Sequence, residues 1–479
     1  MDGPAVHRRI VKETTIYAAL QVLAALTLWA SNLGLARLLD ARAFGSFAIG
    51  TFFLGLGGLL GDGGMGAALL RSKTEISDEA YRTTLTALLA LGTVLALALF
   101  VGADTVGAQW GLHGAERHAL RAMAVLFLVG PLRAVPYIRL ERGLQFATIA
   151  GIELRATAVR QAMSLLLAWR LGGVWALAGG QAAGALTQLV LAWRAAPGWP
   201  GLGITRRVLR ATLGEGVPVQ ALAVAAFFKD NLSAALLGSL LGPSAVGRFD
   251  FGVRYAQLPV SAVNALSRVQ LPVYARFERH DPALHKTFIG ATRTSLLLGI
   301  PLILAMTFAA PELVPWMFAR RWVASIPVID GIAVNMAFGL VAGPLFTLMQ
   351  GQGRAGLALK VFVGWTAATW LLVFAVWSRG LGAVAWAYSA VTAPVVLGLA
   401  VWASRHLGTP LHRAWTGPFA AGLAGAMAGA LVPYLGVHAG WARALVALAA
   451  WAVALAVVDG ARAAGDLRAW IAALRASRT

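Results

Sequence analysis

The sequence predicts an all-α polytopic membrane protein, and three observations lead there. Hydrophobic residues make up 59% of the chain and charged residues only 13%. The mean hydropathy is +0.72. From Thr14 almost to Asp459, apolar blocks of about 18 to 25 residues alternate with short basic turns. A water-soluble chain of 479 residues needs a far more polar surface. Blocks such as Thr84–Val101, Val361–Val376 and Phe419–Leu435 are long enough to cross roughly 30 Å of hydrocarbon as helices.

Taken in order, the head MDGPAVHRRIVKE is a short basic tail that enters the first block without a cleavage site, so that block is read as a retained helix. Helices are expected near 15–36, 43–66, 83–102, 119–138, 147–169, 172–193, 212–237, 245–274, 288–310, 325–349, 356–378, 381–402, 416–437 and 441–458. That is about fourteen spans. Glycine and proline inside the blocks do not argue against helix, because neighbouring helices satisfy local breaks in a membrane. The polar connector Trp193–Thr212 divides the chain into two six-helix lobes, 1–200 and 201–407. A basic connector, Arg405–Arg413, leads to an additional helix pair and tail, 408–479. An even count puts both termini on one side. Arg8, Arg9, Lys12, Arg71, Lys73, Arg82 and the basic C-terminal tail fall on that side. Its positive charge exceeds that of the other side by about two to one, which places both termini in the cytoplasm.

Composition also excludes. A net charge of +20 in a soluble protein points to nucleic acid. Here the 40 Lys and Arg residues sit largely in turns, where they orient spans and meet anionic membrane lipids. No zinc finger, dense basic domain or aromatic platform supports a nucleic-acid partner. Absence of cysteine excludes disulfides and thiol chemistry. The eight histidines lie mostly in turns and form no HExxH, so no metal site is expected. GQGRAG at 351–356 follows no strand and is no nucleotide fingerprint. With no connector longer than about twenty residues, there is no room for a catalytic domain. The chain reads as a transporter rather than an enzyme, with no cofactor beyond a coupling proton or sodium ion.

Polar groups at membrane depth are the candidates for function. In the fifth block, Glu153, Thr157, Arg160, Gln161 and Ser164 share a helical face. Arg160 stands near mid-span, either in a salt bridge with another helix or lining a route for an anion. In the seventh block, Glu215 and Lys229 are fourteen residues apart, close to four turns, with Pro218 between them. Lys229, Asp230 and Asn231 form the sharpest local polar cluster; structural pairing and a coupling role both fit it. In the eighth block, Asp250, Arg254, Gln257, Ser261, Asn264 and Arg268 recur in steps of 4, 3, 4, 3 and 4. They make one polar stripe, read as a pore-lining span broken at Pro259, with a surface-lying amphipathic helix as the alternative. Arg254 and Arg268 on that face suit either a diphosphate or carboxylates from other helices that hold the face closed. Asp62 ends the second block in a glycine-rich segment that lacks the Lys and Ser or Thr of a phosphate loop. Glu153, Glu215, Asp230 and Asp330 are the carboxylates available for ion coupling, Asp230 first because it adjoins Lys229 and Asn231.

Three segments, LARLLDARAFGSFAIGTFFLGLGGLLGDGGMGAALLR, KDNLSAALLGSLLGPSAVGRFDFGVRYAQLPVSAVNALSRVQLPVYARF and PLILAMTFAAPELVPWMFARRWVASIPVIDGIAVNMAFG, occur in this order. Through them the chain resembles the bacterial flippases of lipopolysaccharide O-antigen and exopolysaccharide synthesis, within the multidrug/oligosaccharidyl-lipid/polysaccharide exporter superfamily. The likeness spans about residues 8–405. It implies two six-helix lobes around a central cavity, two extra C-terminal helices, and movement of an undecaprenyl-diphosphate-linked oligosaccharide to the periplasmic leaflet. It also implies residence in the bacterial cytoplasmic membrane and work alongside a polysaccharide polymerase and assembly proteins. Asp62, Asp230, Asn231, Arg254 and Arg268 fall in the family's segments. The glycine after Asp62 and Lys229 beside Asp230 depart from its pattern. A small-molecule or drug antiporter with a related bundle is the alternative.

Overall fold

A computed structural model of the chain describes residues 3–62, 65–71, 76–210, 212, 224, 227–228, 231, 233–267, 274, 281–408 and 412–476. All regular structure among them is helical. The first half runs α1 (Gly3–Leu38), α2 (Ala41–Asp62), a short α3 (Met65–Arg71), α4 (Asp78–Trp110), α5 (Ala115–Ala124), α6 (Leu126–Arg142), α7 (Phe146–Arg170) and α8 (Gly173–Ala195). A π-helical turn, Ser233–Leu237, and one α-turn, Gly238–Leu241, precede α9 (Pro243–Ser267). The rest comprises α10 (Pro282–Phe318), α11 (Ile326–Gly351), α12 (Ala355–Val376), α13 (Leu381–Leu407), α14 (His412–Leu431) and α15 (Gly440–Ala476).

Among the described residues, eleven helices are long and apolar enough to cross a bilayer. The helix α7 is not one of them, because Glu153, Arg155 and Arg160 interrupt its apolar run. The expected seventh span, 212–237, lies mostly outside the described residues, and the eighth is described as helix only to Ser267. Within that stretch α9 passes through Pro259 without a break. One missing donor in a helix this long leaves the rest of the ladder intact.

Helices outrun their hydropathy at both ends, because capping chemistry rather than apolarity decides where they stop. The third span starts at Asp78, where Ser77 Oγ accepts from the Ala80 N–H at 3.3 Å and Asp78 and Glu79 sit at the positive helix end. It continues to Trp110 and ends at Gly111, whose φ of 64° is left-handed. The ninth starts at Pro282, capped by the Asp281 carboxylate, which accepts from the Ala283 N–H at 2.7 Å. The fourth divides at Val125 into α5 and α6. The first begins at Gly3, so the basic head is helical too. The last runs on to Ala476, leaving helical geometry at Asp459 (φ −144°, ψ 18°).

Contacts divide the chain into two units, Met1–Arg248 and Phe249–Thr479. In the first, α7 packs on α1 and α8, and α4 packs on α5 and α6. Gly180 and Gly184 of α8 lie against Ser164 and the Cβ of Arg160 on α7, so these two backbones approach as small-residue spacing allows. In the second, α10 packs on α11, α14 and α15, and α11 on α13. Leu296, Ile300, Leu340, Val341, Leu345 and Val396 form its core. That core also holds a buried ion pair: Arg293 of α10 meets Asp459 at the bend of α15, both side chains 6% exposed. At the other end of α15, the Glu312 carboxylate accepts from the Gly440 N–H at 2.5 Å and the Trp441 N–H at 3.0 Å. It is an acidic cap on a helix N-terminus.

An internal repeat emerges from these contacts. LLDARAFGSFAIG at 38–50 and LLGPSAVGRFDFG at 240–252 share Leu38/Leu240, Leu39/Leu241, Ala43/Ala245, Gly45/Gly247, Phe47/Phe249 and Gly50/Gly252. The starts of α2 and α9 cross at the paired glycines. A Cβ on Gly45 would overlap the Pro243 carbonyl, and one on Gly247 the Ala41 carbonyl.

Candidate functional site

The first unit gathers six polar side chains from α1, α6, α7 and α8, three of them at membrane depth. Arg133 is placed by α6, a helix with Pro131 and Pro136 inside it. Pro136 has no N–H for the carbonyl of Leu132, and the Trp193 indole of α8 supplies one at 2.9 Å. That bond ties α6 to α8 and aims Arg133 at Gln188, whose side-chain oxygen accepts from its guanidinium. The same guanidinium lies 5.2 Å from the ring centre of Tyr137, one turn on. On the neighbouring pair of helices, Gln21 of α1 donates to the Glu153 carboxylate of α7. Tyr137 lies within electrostatic reach of Arg133, Glu141 and Glu153 alike, and so joins the two halves. Glu141 also feels Glu153.

Depth follows from helix geometry. Arg133 is nine residues before Arg142 at the end of α6, Glu153 seven after Phe146, and Gln188 seven before Ala195. The turn 143–145 joins α6 to α7, and α8 returns antiparallel, so all three ends lie on one side. At 1.5 Å per residue the three groups sit roughly 10 to 14 Å from it. Ionised groups there need partners or a polar path. Chemically, the cluster offers one fixed guanidinium, two carboxylates and three neutral donors or acceptors. That set can bind an anion and hold a proton or cation, but it contains no activated nucleophile. Among the described residues, no His, Asp or Glu group is arranged to hold a metal.

Of the sequence candidates, Glu153 joins this cluster. Arg160, further along α7, is half-buried against α8, and its Nε has no hydrogen-bond partner among the described residues. Gln161 and Ser164 are buried beside it. Arg254 and Gln257 are exposed on α9 with Ser261, while Tyr255, Ala256 and Val260 are buried on the opposite face. The expected stripe is therefore present as far as it is described. Asp330 is exposed near the start of α11, within electrostatic range of Arg443. The side chains of Asp62 and Asn264, and residues Glu215, Lys229, Asp230 and Arg268 entirely, lie outside the described residues. Asn231, beside them, donates from Nδ2 to the Phe227 carbonyl at 3.0 Å. Just beyond it, the π-turn's Ala234 carbonyl accepts from the Trp110 indole at 3.2 Å.

Sequence reasoning missed Gln21, Arg133, Tyr137, Glu141 and Gln188. Arg133 was findable: like Arg160, it is a cation set inside an apolar block rather than at its end. It also missed Arg42, whose fork donates to Glu116 at 2.7 Å through both Nε and Nη2. Glu116 further accepts from Ser46 Oγ at 2.8 Å and the His113 N–H at 2.9 Å. Every lone pair there has a donor, so the pairing clamps the start of α2 to the turn before α5.

The chain is a polytopic helical membrane protein, and its family match and curated relatives make it a membrane transporter of the flippase and exporter superfamily. More closely, the chain belongs to a family of polysaccharide biosynthesis proteins, matched over residues 34–327. The "Teichuronic acid biosynthesis protein TuaB" of Bacillus subtilis (strain 168) is 21% identical over 337 residues, 69% of either chain. The "Lipopolysaccharide biosynthesis protein WzxC" of Escherichia coli (strain K12) is 23% identical over 331 residues, covering 68% of this chain and 66% of the relative. In fold, the chain is similar to a solved structure titled "Lipid II flippase MurJ, inward closed conformation". The TM-score is 0.73 and the identity 13%, over 91% of this chain and 98% of that one.

Proposed function

We propose that the protein flips an undecaprenyl-diphosphate-linked oligosaccharide from the cytoplasmic to the periplasmic leaflet of the bacterial cytoplasmic membrane, for polysaccharide assembly. The observation that carries this reading is Arg133, held at membrane depth among neutral and acidic partners in a chain of this family. A diphosphate with a glycan head has no low-cost path through hydrocarbon. Arg133 and Arg160 replace water around the diphosphate by charge-assisted bonds. Gln188, Tyr137 and Gln21 are suited to sugar hydroxyls, and the polyprenyl tail stays in lipid. Arg254, Gln257, Asn264, Arg268 and Lys229 extend the polar route. Fourteen spans, in two six-helix lobes and a final pair with both termini cytoplasmic, expose this route to each leaflet in turn. No covalent step is required.

Glu153 is the coupling carboxylate in this reading, with Asp62, Glu215, Asp230 and Asp330 behind it. A proton or sodium ion bound there offsets the acidic pair Glu141–Glu153. A polysaccharide polymerase and assembly proteins take up the delivered glycan. The test is reconstitution with undecaprenyl-diphosphate oligosaccharides, scored by glycan access at each leaflet. Protein-dependent movement is expected. Efflux of small organic cations without glycan movement would instead identify an antiporter.

A further inference from the structure

The outer wall of α7 carries a charge that the transport route leaves unused. Arg155 is exposed and stands on one stripe with exposed Val159, Leu166 and Trp169. At 100° per residue, Ser164, buried against α8, is on the opposite side of the helix. A stripe of exposed apolar side chains on a helix packed within this bundle suits lipid. Neighbouring α1 does the same, with Val22 61%, Leu23 49% and Leu26 58% exposed. Among the described residues Arg155 has neither hydrogen bond nor ion pair. Nine residues from the start of α7, it stands roughly 13 Å in from that end. A bare guanidinium on a lipid-facing wall is costly at a helix centre, and less so as it reaches the headgroups.

A lane leads there. Between α1 and α7 runs a groove of about 440 Å³ lined by Leu20, Ala147, Thr148, Gly151, Leu154 and Arg155. Helical side chains lean toward the N-terminus, so the Arg155 stem is directed over Gly151 and toward Thr148, four and seven residues back. Gly151 keeps the lane open: a Cβ there would meet nothing within 4 Å. Two described cations toward that end are engaged elsewhere. Arg139 donates to the carbonyls of Pro197 and Gly198, and Arg142 to that of Leu69.

We propose that this groove binds one anionic phospholipid of the leaflet at the Phe146 end of α7. The phosphate is held by the Arg155 guanidinium with the Thr148 hydroxyl as second donor, and an acyl chain lies on Leu20 and Leu154. One cation matches the single charge of a phosphodiester rather than a diphosphate. The outward position keeps the lipid off the polar interior, so this site stands apart from the transport reading.

The experiment is native mass spectrometry of the full chain released from nanodiscs of equimolar phosphatidylcholine and phosphatidylglycerol. The wild type is expected to retain one more phosphatidylglycerol than Arg155→Gln or Gly151→Leu. Arg194→Gln, a control at the end of α8, is expected to match the wild type. Gly151→Leu alters no charge and meets open space, so it carries the test if Arg155→Gln folds poorly. Equal phosphatidylglycerol retention by wild type and the folded variants would overturn the site. So would equal retention of phosphatidylcholine, or displacement of the bound lipid by undecaprenyl diphosphate. Translocation plays no part in the readout, so failure here leaves the flippase reading untouched.

Discussion

Arg133 and Glu153 act in opposite senses within one cluster, and substitutions separate their roles. Arg133→Gln removes the fixed cation and leaves Gln188 to repartner. Losing one charge-assisted bond, worth about 1.5–3 kcal/mol, is expected to weaken glycan-diphosphate binding by about 10- to 100-fold, read by titration in nanodiscs. Arg133→Lys should retain more because charge survives, though the fork does not. Glu153→Gln keeps the bond from Gln21 but removes the titrating group. Flipping by this variant should lose its dependence on one of two separately imposed gradients, proton or sodium. Unchanged dependence on both would take Glu153 out of coupling. Residue roles were only partly legible in the sequence. Arg160 and Glu153 stood out as charges on a shared face. Gln21 and Gln188 did not, because a neutral amide in an apolar block becomes informative only when its partner on another helix is known.

Helix ends and bends show the same division. Most expected blocks fall on described helices, the fourth split in two and the eighth described as helix only to Ser267, since apolar length is written locally. Their ends are not, because Ser77, Asp281 and Glu312 act through backbone N–H groups that hydropathy ignores. The ion pair at the Asp459 bend was equally hidden, since its partner Arg293 is 166 residues away in sequence and on another helix. Removing one partner of a buried pair leaves an uncompensated charge. Asp459→Ala should therefore cost about 3–5 kcal/mol, seen as a lower thermal unfolding temperature in detergent. The double variant Arg293→Met with Asp459→Leu should recover most of it. Full stability of Asp459→Ala would remove the pair from the fold's support. Between α7 and α8, Gly184→Leu pushes against Arg160 and should destabilise by about 1–3 kcal/mol. Gly151→Leu, on the open outer side of the same helix, should change stability little.

At the scale of the whole molecule, the repeat at 38–50 and 240–252 is the feature that reading one block at a time passes over. Each copy alone looks like an ordinary helix start; only their glycines in contact reveal a shared design. The class of protein, by contrast, was legible from apolar blocks and from segments spread along most of the chain. Which groups meet was not, because the cluster draws on four helices across more than 160 residues, from Gln21 to Gln188. The most direct measurement is the initial rate of undecaprenyl-diphosphate oligosaccharide translocation in proteoliposomes, for wild type and Arg133→Gln at equal reconstituted amount. A protein-dependent rate in the wild type, reduced at least about tenfold in the variant with folding unchanged, is the expected result. No translocation by the wild type, or equal rates for both proteins, would contradict a flippase that handles its anionic substrate through this cluster.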